Sequence, residues 1–174
     1  MPNHMLERAT TGAFLTAMYS LFAGAMSRKT YTMCETRGGI TGVTPAHPQI
    51  WMARLAVIDD QIADDELHLL RLLPLAWCQP GQPADFEDMP TEFGPVSLRL
   101  VLSRDSATLD VSLRPAFRSV PDKVILHVPP LEGLLSLRIN GREVESRNGE
   151  VELKPEEIGE QNLGGDVLKA ASQG

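Results

Sequence analysis

Several features that define other classes of protein are scarce in this sequence of 174 residues. It contains two cysteines, Cys34 and Cys78, too few for a disulfide framework or a cysteine-based zinc site. Its 16 Lys and Arg residues are outnumbered by 23 Asp and Glu, so it lacks the basic surplus that binding to nucleic-acid phosphates requires. No uncharged apolar run approaches the ~18–20 residues of a membrane span. We therefore expect neither a nucleic acid nor a membrane as a partner.

Two further absences concern cofactors and cellular compartment. The segment RGGITG has neither the spacing nor the preceding strand of a phosphate-binding loop, so we expect no cofactor. Residues 6–26 share two features with a secretory signal, Arg8 ahead of an apolar stretch and a small-residue triplet at 23–25, but polar residues such as Thr16 interrupt the stretch. An amphipathic helix explains the same pattern. We expect the protein in the cytoplasm, with export as the alternative.

What the sequence does contain is enough apolar residues, 43%, to build a core in a chain of this length. The two parts of the chain differ in composition. Residues 1–78 carry six basic and seven acidic side chains, a charge of −1, and are rich in Met, Ala and Leu. Residues 79–174 carry ten basic and sixteen acidic side chains, a charge of −6, and are rich in Pro, Gly and Val. The chain therefore changes character near its middle.

Residues 1–63 predict a helical hairpin. Apolar residues recur every three or four positions between Leu6 and Met26, which is the spacing of one helix face. A second helix is expected to begin near Pro45 or Pro48, because proline is tolerated in a first helical turn. Two helices cannot bury both faces of the hairpin by themselves. The hairpin must pack on the second half of the chain, on a second copy or on a missing N-terminal helical domain, and we expect one of the last two to cover the free face. The predicted buried stripe of the second helix is Trp51, Leu55, Ile58 and Ile62.

Residues 64–155 predict an antiparallel β-sandwich, so the expected fold class is α+β with the helical hairpin first. Apolar and polar residues alternate with a period of two in four segments, the pattern of half-buried strands. Asn-Gly pairs at 140–141 and 148–149 predict tight hairpin turns. We interpret residues 66–73 as a further strand, 79–95 as a loop and 156–174 as a tail. The four alternating segments surround Leu100, Val111, Leu126 and Leu137.

The order of several short motifs resembles one enzyme family. ELHLLRLLPLAW follows the helix pair, and PTEFGPVSLRLVLS, VILHVPP and LRINGREV follow a loop. This order resembles the C-terminal region of bacterial glycoside hydrolases built on an (α/α)6 toroid of six helical hairpins, of the α-L-fucosidase and α-L-rhamnosidase type. The resemblance covers residues 10–155. It includes a Pro-x-x-Trp element at 74–77 and an Ile-Asn-Gly turn at 139–141.

The resemblance implies a function in carbohydrate processing without a complete catalytic site. It implies that this chain supplies the last helical hairpin of the toroid and the C-terminal β-sandwich. The catalytic carboxylates of such enzymes are expected on toroid loops that this sequence does not contain. We therefore expect a C-terminal fragment or accessory part of a glycoside hydrolase-like protein, inactive by itself, with a carbohydrate as its ligand. The alternative is a non-catalytic carbohydrate-binding or protein-interaction module.

Glu35 is the candidate catalytic residue, on the loop between the two predicted helices. The resemblance places active residues on this side of a toroid, and glycoside hydrolysis uses two carboxyl groups. Arg37 follows closely enough to tune the pKa of Glu35 or to bind a substrate hydroxyl. The alternative is a local ion pair between these two loop residues. No second carboxylate is identifiable in the loop.

His47 and Trp51 are the other candidate substrate-binding residues. His47 is suited to binding a sugar hydroxyl or transferring a proton, and alternatively to satisfying backbone groups at the helix entry. Trp51 can stack on a sugar ring, whereas its register with Leu55 favours a core position. The acidic run at residues 59–66 lacks the spacing and central glycine of an EF-hand, so we interpret it as a solvated turn and expect no metal.

Overall fold

The structure is a computed structural model and describes residues 3–26, 33–34, 41–44 and 47–159. Helices precede a strand-rich region, which confirms the predicted α+β class. The elements, in chain order, are α1 (Asn3–Ala25), β1 (Met33–Cys34), β2 (Thr41–Thr44), α2 (His47–Val57), β3 (Ile58–Asp59), β4 (Glu66–Leu69), a 3-10 turn (Leu75–Trp77), β5 (Pro83–Met89), β6 (Val96–Leu102), β7 (Thr108–Pro115), β8 (Lys123–His127), β9 (Ser136–Ile139), β10 (Arg142–Val144), β11 (Glu150–Leu153) and α3 (Pro155–Gly159).

Strands β3 to β11 form two sheets that share one apolar core. One sheet has five strands in the order β10-β9-β7-β6-β5, and the other has four in the order β11-β8-β4-β3. Most neighbouring strands are antiparallel, but β4 with β8 and β7 with β9 are parallel pairs. The predicted β-sandwich is therefore confirmed in its layers and is mixed in strand direction. Strands β1 and β2 pair separately with each other.

Period-two alternation builds the core from both sheets. Along β6 the residues Val96, Leu98, Leu100 and Leu102 are buried, and Arg99 between them is exposed. Each fully buried Leu or Val contributes roughly 1.5–3 kcal/mol to the free energy of unfolding. Leu135, the first apolar residue of the predicted β9 pattern, is 86% exposed because it precedes the strand. The facing sheet adds Leu67, Leu69, Val124 and Leu126 to the same core.

The second helix ends earlier than the sequence predicts. Helix α2 stops at Val57, and Ile58 pairs with Leu69 as the first residue of β3. Trp51 is 48% exposed and Ile62 is 42% exposed, so the prediction that both belong to a buried helical stripe is wrong. Strand pairing with β4 replaces the last helical turn that this stripe would need.

A buried ion pair holds the end of α2 against the sandwich. The Asp60 carboxylate is 1% exposed; its Oδ2 accepts hydrogen bonds from Arg54 Nη2 and, at 2.9 Å, from the Glu92 backbone N–H. Arg54 Nε also donates to the Pro90 carbonyl at 2.8 Å. Helix α2 is therefore tied to the connection between β5 and β6 by hydrogen bonds to charged groups, which are stronger than neutral ones.

Residues 79–95, predicted to be a loop, contain strand β5. It pairs with β6 at the edge of the five-stranded sheet, in register from Pro83 opposite Val101, with an irregularity before Met89. Proline and aspartate are tolerated on an edge strand, where one side of the backbone makes no ladder. The composition that indicated a loop is thus that of an edge strand.

Both predicted Asn-Gly turns form. Asn140 and Gly141 have φ values of 49° and 78°, which these two residue types accept, and they join β9 to β10. Asn148 and Gly149 form the turn that precedes β11. The second turn leads from the five-stranded sheet into the four-stranded one, so only the first joins two strands of the same sheet.

The end of the described chain is the short helix α3, whose Ile158 is buried in the core. The rest of the predicted tail, residues 160–174, lies outside the described residues. Among the helices that are described, none is both long enough and apolar enough to cross a membrane.

Candidate functional site

A cavity of about 600 Å³ lies between α1 and one end of the sandwich. One face of α1 forms one wall, and residues 70–76 and 127–130 form the opposite wall. The volume falls within the ~300–1,000 Å³ range of small-molecule sites. We call this space the α1 cavity. Half of its lining residues are leucine or proline, and its larger polar side chains are Tyr19, Arg71, His127 and Glu150.

The turn after β4 places Arg71 at the cavity. Leu70 has a φ of 62°, a left-handed conformation that costs a residue with a bulky side chain about 1–3 kcal/mol. Its N–H donates to the Val57 carbonyl at 2.7 Å, and its side chain is buried. This turn ends the strand at Leu69 and leaves Arg71 partly exposed, with Nη1 3.8 Å from Asp59 Oδ2.

Beside the cavity, four side chains of the four-stranded sheet form a continuous polar chain. Glu66 Oε2 lies 3.2 Å from His68 Nε2, and His68 Nδ1 lies 2.9 Å from His127 Nε2. His127 Nδ1 lies 3.4 Å from Glu150 Oε1, an ion-pair separation. Lys123 Nζ donates to Glu66 Oε1 at 2.8 Å at the far end. We call Glu66, His68, His127 and Glu150 the histidine chain.

Strand geometry explains why these residues meet. Glu66 and His68 are two positions apart on β4, so both point away from the core that Leu67 enters. In the parallel register Leu69 pairs with Leu126, and His127 follows directly on β8. Glu150 is the direct antiparallel partner of His127 on β11. Three neighbouring strands thus bring the chain together on the outer face of the sheet.

The two imidazole rings meet edge to edge. Their planes differ by 22° and their centroids are 5.2 Å apart. This separation equals the 2.9 Å N···N distance plus the two ring radii, so the two nitrogens lie on the line between the ring centres. His68 is 8% exposed, so water does not compete freely for this contact. The geometry is that of an in-line hydrogen bond in which one proton lies between the two nitrogens.

The electrostatic environment differs along the chain. The hydrogen bond from Lys123, and then the one from His68, lower the pKa of Glu66. The bond to Glu66 raises the pKa of Lys123. Burial, followed by the positive charges of His68 and Arg71, lowers the pKa of His127 to about 4. Glu66 is therefore an ionised acceptor and His127 is neutral at physiological pH.

No protein-family model, curated protein or solved structure matches this chain. The glycoside hydrolase resemblance therefore remains a prediction from its short motifs.

Of the four site residues predicted from sequence, Trp51 is the one whose side chain the structure describes. Glu35 and Arg37 lie outside the described residues. His47 is the first residue of α2, and its side chain lies outside the described part. Trp51 is on the same helix, half-exposed, and does not line the cavity. Within the described part of the chain, the prediction can therefore be compared with the cavity at Trp51, which lies elsewhere.

The residues that do form the site were missed, although a signal for two of them exists. His68 and His127 each occupy an outward position within an otherwise apolar strand, in LHL and LHV. Period-two alternation places each of them on the polar face of its strand. Their approach depends on a parallel pairing between strands 59 residues apart, which alternation does not reveal.

The arrangement is suited to holding a small polar ligand and moving a proton beside it. Arg71 and His127 offer hydrogen bonds at the cavity wall, and Glu150 offers an acceptor. Within residues 3–26, 33–34, 41–44 and 47–159, no three His, Cys, Asp or Glu side chains are arranged to hold a metal ion.

Proposed function

We propose that this chain is an accessory, non-catalytic part of a glycoside hydrolase-like protein and that its α1 cavity binds a saccharide. The observation that carries this proposal is the composition of the cavity wall, where an aromatic ring and three hydrogen-bonding side chains occur together. Tyr19 is 51% exposed on the face of α1 that lines the cavity, and Arg71, His127 and Glu150 line the same space.

A saccharide matches this wall chemically. A sugar ring has an apolar C–H face that packs against an aromatic ring and against leucine, and a rim of hydroxyls that both donate and accept. Arg71 donates only, Glu150 accepts when ionised, and His127 does either according to its tautomer. A neutral hydroxylated ligand can use all three.

The number of carboxylates supports binding rather than hydrolysis. Glycosidases use two carboxyl groups on opposite sides of the scissile bond, with an oxocarbenium-like transition state between them. Glu150 is the only carboxylate that lines the cavity among the described residues. Such a wall can orient a sugar but lacks the second carboxyl group of that mechanism.

The test is titration calorimetry with a panel of neutral monosaccharides and short oligosaccharides. A monosaccharide of about a dozen heavy atoms, at ~0.3 kcal/mol each, gives a Kd on the order of 1 mM. Arg71→Gln is expected to weaken binding at least tenfold, since a hydrogen bond from a charged group contributes ~1.5–3 kcal/mol. Aryl glycosides incubated with the protein should release no sugar.

Arg99→Gln is the matched control for Arg71→Gln. Arg99 is an exposed arginine on β6 of the other sheet, paired with Asp85 at 3.2 Å, and it does not line the cavity. The Arg99→Gln variant should leave the Kd for the saccharide unchanged. If no saccharide of the panel binds, or if Arg71→Gln binds as tightly as the unmodified chain, the proposed function is wrong.

A second candidate function, docking of another protein surface, is favoured by two neighbouring side chains on α2. Ile50 is 69% exposed and Trp51 is 48% exposed, so α2 presents two large apolar side chains that a partner surface could cover. Its occupant would be a second copy of the chain or a helical domain. Sedimentation that shows a dimer lost on Ile50→Lys would support the second copy.

A further inference from the structure

The histidine chain has one proton too few when both histidines are neutral. Glu66 accepts a hydrogen bond, so His68 must carry its proton on Nε2 and present a bare Nδ1. The proton between the rings then belongs to His127 Nε2. This leaves His127 Nδ1 without a proton, 3.4 Å from the Glu150 carboxylate, so that two acceptors face each other.

One added proton removes this conflict. If His127 receives a proton on Nδ1, its Nε2 proton can transfer to His68 Nδ1 across the hydrogen bond, whose two nitrogens are 2.9 Å apart. His68 is then an imidazolium that donates to Glu66 and to His127, and His127 is again neutral, with Nδ1–H facing Glu150. One proton enters, one proton shifts, and every gap in the chain holds one proton.

We propose that His68 and His127 take up this single proton as a unit, and that it switches His127 Nδ1 from a hydrogen-bond acceptor to a donor at the wall of the α1 cavity. The inference deepens the proposed function, on which it rests for the identity of the ligand. Histidine is suited to such a switch because either ring nitrogen can hold the proton of the neutral form. In the first state Nδ1 can accept a hydrogen bond from a ligand hydroxyl, whereas in the second its proton faces Glu150 and that acceptor is lost.

The charged groups around the pair favour one added proton and oppose two. Ionised Glu66 stabilises a positive His68 directly, and Lys123 on the far side of Glu66 moderates this effect. Around His127, the Glu150 carboxylate favours the Nδ1 proton. A second added proton would place two N–H groups face to face across the 2.9 Å gap.

The positive charge of Arg71 near His127 also opposes a second added proton. Arg71 is positive and lines the cavity with His127, and its nearest carboxylate, on Asp59, is 3.8 Å away. From α1, the side chain that faces the cavity near this pair is Tyr19. The lowered pKa of His127, about 4, agrees with a pair in which a second positive charge is opposed by the first.

Nitrogen-15 NMR of histidine-labelled protein tests the switch without any ligand. The two nitrogens of a neutral imidazole have distinct shifts, so the spectrum reports which one holds the proton. As the pH falls from alkaline to mildly acidic, we expect His127 to stay neutral while its proton moves from Nε2 to Nδ1, and His68 to become an imidazolium over the same interval. The switch is overturned if His127 keeps its Nε2 proton until it becomes an imidazolium itself, or if the two histidines titrate independently.

Two glutamate variants from the same sheet face provide a matched comparison. Glu66→Gln removes the carboxylate that His68 contacts and should lower the midpoint of the switch by about one pH unit. Glu152→Gln removes the same charge from β11, two residues after Glu150, and should shift the midpoint much less. Equal shifts in the two variants would contradict a relay that runs through Glu66.

Calorimetry of a bound saccharide in two buffers of different ionisation enthalpy then tests the link to the cavity. Near the midpoint of the switch, we expect a fraction of one proton to be exchanged per neutral saccharide bound. No exchange at any pH would overturn that link. Absence of saccharide binding would refute the proposed function, while the NMR measurement would still decide the switch.

Discussion

Asn140 shows how one residue can serve both local and distant structure. Its positive φ closes the β9–β10 turn with Gly141, and its backbone N–H donates to the Val111 carbonyl at 2.9 Å. Its side-chain Oδ1 accepts from the Leu113 N–H at 2.8 Å, and its Nδ2 donates to the Leu113 carbonyl at 3.2 Å. The side chain therefore extends the ladder of β7 beyond its pairing with β9.

We predict that Asn140→Gly lowers the free energy of unfolding by about 1–2 kcal/mol, because glycine keeps the turn but loses both hydrogen bonds to Leu113. Asn148→Gly is the matched control. Asn148 has a similar φ of 54°, and none of the side-chain hydrogen bonds found among the described residues involves it. Urea denaturation of both variants measures the difference, and an equal loss in both would contradict the role assigned to the Asn140 side chain.

For single residues, the sequence predicts conformations that depend on adjacent residues in the chain. The Asn140-Gly141 turn is predictable because both residues accept positive φ. The contact of Asn140 with Leu113 spans 27 positions, and that of His68 with His127 spans 59, so neither follows from local preference. The sequence indicates the polar face on which each histidine lies but not its partner.

At the scale of elements, Arg54 and Asp60 decide how helix α2 joins the sandwich. The Asp60 carboxylate is almost completely removed from water, and Arg54 is the charged group that compensates it. Arg54 also reaches the Pro90 carbonyl, in the connection between β5 and β6. The pair therefore links the helical part of the chain to the edge of the five-stranded sheet.

Arg54→Met is predicted to destabilise the fold by about 3 kcal/mol, because removal of one partner of a buried ion pair leaves an uncompensated buried charge. Arg99→Met serves as the control, since the Arg99–Asp85 pair is exposed and such pairs contribute less than about 1 kcal/mol. Thermal and urea unfolding compare the two. Similar small losses in both variants would show that the Arg54–Asp60 pair does not hold α2 in place.

The predictions at the scale of elements succeed where period and composition agree. Strands β6 to β9 follow from alternation, and α1 follows from its apolar spacing. The prediction of a loop at β5 is wrong because an edge strand accepts the proline and aspartate that are typical of a loop. The predicted end of α2 is wrong because Ile58, which continues the helical spacing, pairs with Leu69 in a strand. This tertiary contact overrides the local pattern.

At the scale of the whole molecule, the α1 cavity belongs to no single element. Its walls come from three stretches of chain, α1, residues 70–76 and residues 127–130, together with Glu150 at the start of β11. Each stretch is apolar enough to be taken for ordinary core when read alone. The sequence therefore predicts helix α1 and the sandwich, which enclose the cavity. The cavity itself arises only where the helix and the sandwich pack together.

The most direct test of a saccharide site in this cavity is an amide chemical-shift map recorded during titration with the saccharide that binds best. We predict shifts concentrated at residues 70–76, at 127–130 and on α1 near Tyr19, and their loss in Arg71→Gln. Shifts centred instead on Ile50 and Trp51, or on the exposed face of the five-stranded sheet, would contradict a saccharide site in the α1 cavity.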